Sequence, residues 1–181
     1  MTDAAVRRIR LQEWREVRDI RIRALRDPAA PIAFLDSVDA ALARSDDFWQ
    51  MRAAGAAIGE NAAQFVAVVA GDAGETWVGS VSVLLRAPGD TDTVGRAVSA
   101  PQADLVGVFV DADHRGQGVL DALVEAASAW AVAVGADGLT LEVHVDNARA
   151  QAAYRRLGFI PTGLVVDVDA GREIQMHRPA E

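Results

Sequence analysis

The sequence predicts one mixed α/β domain, with helices in its first third and a strand–helix–strand–helix–strand segment behind. Three observations carry that reading. Hydrophobic spacing is helical from Trp14 to about residue 57 and switches to strand-like runs from residue 64. The 104–178 stretch then alternates strand and helix patterns. Finally, 181 residues with 51% hydrophobic content and no cysteine suit a core that needs no staples.

The elements follow in order. Val6–Leu11 reads as a short first strand, and Trp14, Val17, Ile20 (or Ile22) and Leu25 mark a helix over Trp14–Leu25 that Asp27-Pro28 ends. Pro31 blocks an early restart. Ser37 and Ser45 read as N-caps of two further helices, one to Arg44 and one to about Ala57; Asp46 and Asp47 complement the second helix's positive end. Gln64–Ala70 and Trp77–Arg86 are β-rich runs joined by a Gly71–Glu75 turn. In the second run Trp77, Gly79, Val81 and Val83 alternate with Val78, Ser80, Ser82 and Leu84. Ala87–Gln102 lacks periodicity and reads as a mobile loop.

Asp104–Val110 is a third β-rich run, and Gly118–Val134 is helical, closed by Gly135 and Gly138. Leu139–Val145 alternates strictly as a strand. Ala148–Leu157 is a short helix with Gly158 at its end. Val165–Asp169 and Arg172–Arg178 form a final hairpin about Ala170-Gly171. No repeat or linker divides the chain, so residues 1–181 are read as a single domain.

Composition excludes several mechanisms. Without cysteine there is no thiol nucleophile, disulfide or Cys-ligated metal. All 18 basic residues are Arg, so Schiff-base chemistry and a Walker lysine are also out. The formal charge of −8 argues against a general nucleic-acid binder, and no apolar stretch is long enough to cross a membrane as a helix. The polar, Arg-bearing N-terminus has no signal-peptide core, which leads to a cytoplasmic expectation. His114, His144 and His177 are scattered, so no metal site is expected. Ala occurs 36 times, the usage of a GC-rich genome.

The informative segment is Asp104–Leu123, where a strand runs through Arg115-Gly116-Gln117-Gly118 into a helix. The two glycines let backbone amides approach a ligand, and the helix N-terminus adds unpaired N–H groups that suit a phosphate. Neither a P-loop nor a Rossmann fingerprint fits, because Lys is absent and Asp121 stands where the third Gly would be. About 30 residues on comes Leu139–Phe159, L-T-L-E-V-H-V-D-N-A-R-A-Q-A-A-Y-R-R-L-G-F.

Together these segments, roughly 104–160, resemble the GNAT superfamily of acetyl-CoA-dependent N-acetyltransferases. Arg115 through Leu120 occupy its [QR]-x-x-G-x-[GA] motif, and Asn147, Ala150, Tyr154, Gly158 and Phe159 match its N-x-x-A-x-x-x-Y-x-x-x-G-F segment. Leu120 departs from the usual small residue. The resemblance implies a mixed, mostly antiparallel central sheet of about six to seven strands with helices on both faces. It implies acetyl-CoA as co-substrate without a metal, a small-molecule or peptide amine as acceptor, and a homodimer as one possible assembly.

It also assigns roles. Val108, Phe109 and Val110 would pair with the pantetheine arm, and the amides of Gly116, Gln117, Gly118, Val119 and Leu120, with Arg115, would hold the pyrophosphate. Asn147 would contact the pantetheine region or cap the following helix. Tyr154 would be the general acid that protonates the leaving thiolate. Asp104 stands where some members carry a catalytic Glu and, by alternation, shares a face with Val106, Val108 and Val110; Glu142 and His144 are rival bases. Arg149, Arg155 and Arg156 either serve CoA phosphates or form a solvated helix face. Trp14, Phe48 and Trp49 lie where the family builds its acceptor site and are expected to pack in the core. The acidic balance favours a cationic acceptor. The alternative function is a non-catalytic acyl-CoA-binding module of the same fold.

Overall fold

A computed structural model describes residues 4–72, 74–92 and 95–180. In chain order the elements are β1 (Ala5–Arg8), α1 (Trp14–Leu25), α2 (Val38–Ala43), α3 (Asp46–Ile58), β2 (Ala62–Gly71), β3 (Gly74–Arg86), β4 (Gln102–Val110), α4 (Val119–Ala133), β5 (Gly138–His144), α5 (Ala148–Arg156), β6 (Ile160–Val168) and β7 (Gly171–Pro179). The strands form one seven-stranded sheet in the order β1-β2-β3-β4-β5-β7-β6, antiparallel except for β4 against β5. A mostly antiparallel mixed sheet was the expectation, and seven strands are found.

The sequence caps work as read. Ser37 accepts a hydrogen bond from the Ala40 amide, and Ser45 accepts one from the Phe48 amide. The far end of α3 is closed from outside: the Arg8 guanidinium donates to the carbonyls of Ala56, Gly59 and Ala62. Pro31 sits in a single 3₁₀ turn, Ala30–Ile32. The 87–101 loop has internal order: Asp92 accepts from the Arg96 amide and guanidinium, and Thr91 bridges to Ala97. Thr93 and Val94 lie outside the described residues.

Two apolar cores hold the helices to opposite faces. Leu123, Val124, Ala127 and Ala131 of α4 and Tyr154 of α5 pack with Val81, Val83, Leu105 and Leu141 on one face. On the other, Val17 and Ile20 of α1, Ala41 of α2 and Trp49 and Ala53 of α3 pack with Val66, Val68, Trp77 and Phe109. Trp49 is wholly buried, while Trp14 and Phe48 pack partly buried against the same core.

Two bulges correct the alternation expected from sequence. The register between β2 and β3 slips at Ala67/Val68, so Trp77 faces the α1–α3 side while Val81 and Val83 face α4. In β4 two residues, Gly107 and Val108, fill the space opposite Val81 alone. Before this bulge Ala103 and Leu105 pack beneath α4; after it Val108 and Val110 do, and Phe109 joins the other core. Gly107 takes φ +62°, a conformation that L side chains rarely adopt, which is why the extra residue is accommodated there. Asp104 therefore does not share a face with Val108 and Val110.

Candidate active site

The parallel pair β4–β5 is short. Only Ala103 with Leu139 and Asp104 with Thr140 are paired, after which the strands diverge. Beyond that fork β4 keeps β3 on one edge and has no β5 partner on the other. A cleft of about 860 Å³ opens there, lined by Leu105 through Val110, by Gly116, Gly118 and Leu120 at the start of α4, and by Asn147 and Tyr154. An extended chain can add to a free strand edge by main-chain hydrogen bonds, so the fork supplies a linear acceptor–donor track.

The start of α4 supplies the second component. Gly118 is its N-cap at φ +84°, and no side chain caps the helix. Gly116, Gln117 and Gly118 are exposed. The first-turn amides have no intrahelical partners and sit at the positive end of the macrodipole, which fits them to bind an anion. Val119 does not line the cleft: its side chain is buried beneath the sheet and anchors the turn. The Gln117 side chain turns back to donate to the Asp113 carbonyl. Leu120 lines the cleft and is partly buried against the α4 core.

Arg115 serves the loop more than the open space. Its Nε donates to the Val110 carbonyl at 2.9 Å and its Nη2 bonds the Asp27 carboxylate. Burial pushes the Asp27 carboxyl up, but the Ala29 amide and the Arg115 guanidinium outweigh this and hold it below the usual carboxylate range. The end of β4 is thereby fixed to the segment after α1. Arg149 and Arg156 reach the cleft and Arg155 does not.

Asn147 caps α5 by accepting from the Ala150 amide and lines the cleft at the same time. Two turns on, Tyr154 is 8% exposed, with its ring edge-on to Phe159 at 5.6 Å. Burial raises its phenol well above the ordinary value, so it is protonated at neutral pH. The ring packs in the core, yet the residue also lines the cleft.

The candidate bases separate clearly. The Asp104 side chain is fully buried, lies outside the cleft lining, and accepts from Gln102 Nε2 at 2.6 Å and Arg86 Nε at 3.3 Å. Burial raises its pKa against those two partners. His144 lines the cleft, but both its ring nitrogens are engaged: the Asp146 amide donates to Nδ1, which leaves Nε2 to donate to the Ala170 carbonyl. Glu142 lines the cleft and accepts from Gln175 Nε2 at 3.1 Å. Beside it stands Glu173, which pairs in register with His144 across β5 and β7. Burial raises the Glu173 carboxyl, the Glu142 charge raises it further, and His144 opposes them. Nothing in the sequence singled out Glu173, since it sits in the final hairpin without a motif. The paired position opposite a cleft residue of β5 was its only signal.

The acetyltransferase (GNAT) family model matches residues 14–159. The chain belongs to that family. Among curated proteins, an aminoglycoside N(6′)-acetyltransferase type 1 from Stenotrophomonas maltophilia is 38% identical over 93 residues, 51% of this chain. The chain spans 58% of that relative's length. Among solved structures, a GNAT acetyltransferase from Streptococcus pneumoniae superposes with a TM-score of 0.74 at 17% identity, over 99% of this chain and 100% of the other. AAC(6')-Iy with the bisubstrate analogue CoA-S-monomethyl-acetylneamine superposes at 0.66 and 19% identity, over 91% and 96%. This GNAT chain thus has the family's mixed sheet with helices on both faces. Among the described residues no group of three metal-ligating side chains forms, and no helix is long and apolar enough to cross a membrane.

Proposed function

We propose that the chain moves an acetyl group from acetyl-CoA to a primary amine of a small molecule or peptide by direct attack. The observation that carries the proposal is the coincidence, in one cleft, of the free β4 edge, the uncapped α4 N-terminus and the Tyr154 phenol. The pantetheine arm pairs along Val108–Val110, and the pyrophosphate sits on the amides from Gly116 to Leu120, with Arg115 fixing the loop rather than holding phosphate. The thioester then lies near the β4 bulge.

An amine is mostly protonated at neutral pH and must lose a proton before attack. The Glu142–Glu173 pair takes that role in place of Asp104, directly or through water. The amine nitrogen adds to the thioester carbonyl, the C–S bond breaks, the departing thiolate takes the Tyr154 proton, and the surplus proton on the new amide nitrogen returns, directly or through water, to the Tyr154 phenolate. The named relatives, aminoglycoside N-acetyltransferase among them, support an amine acceptor.

Isothermal titration with acetyl-CoA, followed by thiol release against a panel of primary amines, tests the reading. Micromolar binding with amine-dependent thiol release is expected. Binding without release for any amine overturns the enzyme in favour of a binding module, and no binding overturns both.

A further inference from the structure

The acceptor end of the cleft carries a positive cluster that the reaction itself does not use. Arg21 of α1 and Arg52 of α3 both line the cleft, and both also border a small void behind the β4 bulge with Gly107 and Phe109. That places them at the middle of β4, apart from the Gly116–Leu120 amides beyond its end. Asp36 is the carboxylate they share with Arg44: its Oδ2 lies 2.8 Å from Arg44 and 3.5 Å from Arg21. Arg52 makes no hydrogen bond or ion pair of its own among the described residues, and it feels both other guanidinium groups. Three guanidinium groups around one carboxylate leave an excess of positive charge on the α1–α3 wall of the cleft.

Two further features make the cluster a receptor rather than a solvated edge. Arg21 is stacked on Phe34 at 4.7 Å, and Phe34 is itself part of the cleft wall, so the guanidinium fork is held in place. Protein atoms crowd Arg52, although its side chain stays open to solvent along the cleft. Loss of water pulls both guanidinium groups below their usual value; at Arg52 the neighbouring Arg21 and Arg44 add to this, at Arg21 Arg44 does, and Asp36 opposes it at both. Both remain charged at neutral pH, and an entering oxyanion would relieve the repulsion.

We infer that the acceptor is an amine that also carries an oxyanion, a carboxylate or a phosphate, received by Arg21 and Arg52 while Glu142 and Glu173 receive the amine. This rests on the acetyl-transfer reading and narrows its acceptor. It also qualifies the expectation, drawn from the overall acidic charge, of a cationic acceptor: the local field at the site, not the −8 of the whole chain, meets the acceptor.

The test compares matched amines with and without the anion: phenylalanine against phenethylamine, and O-phosphoethanolamine against ethanolamine. The anionic member of at least one pair should have the higher kcat/KM by about tenfold or more, the scale of a charge-assisted contact. Which pair shows the preference separates carboxylate from phosphate. In Arg52→Gln the preference ratio should fall toward one with acetyl-CoA affinity retained, and Arg52→Lys should restore part of it. A preference for the non-anionic members, or for a polycationic aminoglycoside, overturns the inference. So does an Arg52→Gln protein that weakens acetyl-CoA and acceptor equally, since the arginines would then serve the CoA.

A turnover-free measurement keeps this separate from the acetyl-transfer reading. Calorimetric binding of N-acetylphenylalanine against N-acetylphenethylamine, and of O-phospho-N-acetylethanolamine against N-acetylethanolamine, to the CoA-loaded protein should favour an anionic ligand. Equal binding within both pairs overturns the oxyanion site whatever the thiol assay shows. Anion-selective binding without thiol release from any amine upholds the site while the acetyl-transfer reading fails.

Discussion

The two ends of the cleft are built from different materials. The CoA end is made largely of backbone: the free edge of β4 and the open amides of Gly116–Gly118, all from one continuous stretch of chain. The acceptor end is made of side chains from distant segments, Arg21 on α1, Arg52 on α3, Glu142 on β5 and Glu173 on β7. A backbone site needs glycines and a helix start at fixed spacing, so its signal is local in sequence. A side-chain site needs only a charge at each of several places that the sheet brings together, so its signal is scattered. Tyr154 belongs to the same motif as the CoA end, lines the cleft, and is the residue to which the proposed reaction assigns the proton.

The largest expected effect tests that junction. Tyr154→Phe keeps the ring that packs on Phe159 and removes only the phenol hydroxyl with its proton. The turnover number should fall by about 10²- to 10⁴-fold, the usual value of general acid–base catalysis, while calorimetry finds acetyl-CoA affinity unchanged. A fall of less than a few-fold would move proton delivery to another group and leave Tyr154 a packing residue.

A backbone site should respond directly to changes of the backbone itself. Gly118→Val forces a β-branched residue to φ +84°, at a cost of about 1–2 kcal/mol. Acetyl-CoA should then bind about tenfold more weakly. Gly89→Val, at φ +95° in the distant 87–101 loop, imposes similar strain away from the cleft and provides the control. Its acetyl-CoA affinity should match the parent's even if its melting temperature falls. Equal weakening in both would attribute the effect to folding.

This contrast explains what the sequence made legible. Trp14–Leu25 was readable to the residue because its apolar spacing, its Pro28 stop and its packing against β2 agree. The Gly116–Gly118 turn was readable because conformation restricts its composition. Asp104 misled because strand alternation was carried through Gly107, and a bulge depends on how two strands register, which one strand's pattern does not contain. Glu173 and Arg52 were invisible for the same kind of reason: each is an ordinary charged residue on its own element, and only the sheet order β5-β7 and the packing of α3 give them company. Arg115 had the right place and a different task, because its partner Asp27 lies 88 positions earlier in the chain.

The acceptor end can be probed by pH. Burial, then the charge of Glu142, raise the Glu173 carboxyl. A base works deprotonated, so kcat/KM should rise with pH through that raised value. Glu142→Gln keeps an oxygen to accept from Gln175 and removes the negative neighbour. The acid limb should therefore move to lower pH, because Glu173 then gives up its proton more easily. The acceptor amine's own titration is common to both proteins and cancels in the comparison. A limb that stays in place would take the base role from Glu173.

The smallest effect separates neighbouring arginines at the CoA end. Arg156 meets Asp121 at 2.8 Å, but their side chains are 62% and 46% exposed. Such a pair contributes under about 1 kcal/mol to stability, so Arg156→Ala should barely move the melting temperature. Its consequence for the ligand is electrostatic. Asp121 lies in the first turn of α4, next to the amides assigned to the pyrophosphate, and losing Arg156 leaves that carboxylate unneutralised. Acetyl-CoA affinity should fall by about two- to threefold at low salt, and the deficit should vanish near 1 M salt, where the screening length is roughly 3 Å. Arg115→Ala should behave differently. Its bonds to Val110 and Asp27 are part-buried and tie the end of β4 to the segment after α1, so the loss of affinity should persist at high salt. If both variants lost affinity only at low salt, Arg115 would be a phosphate-facing charge rather than the brace that positions the backbone site.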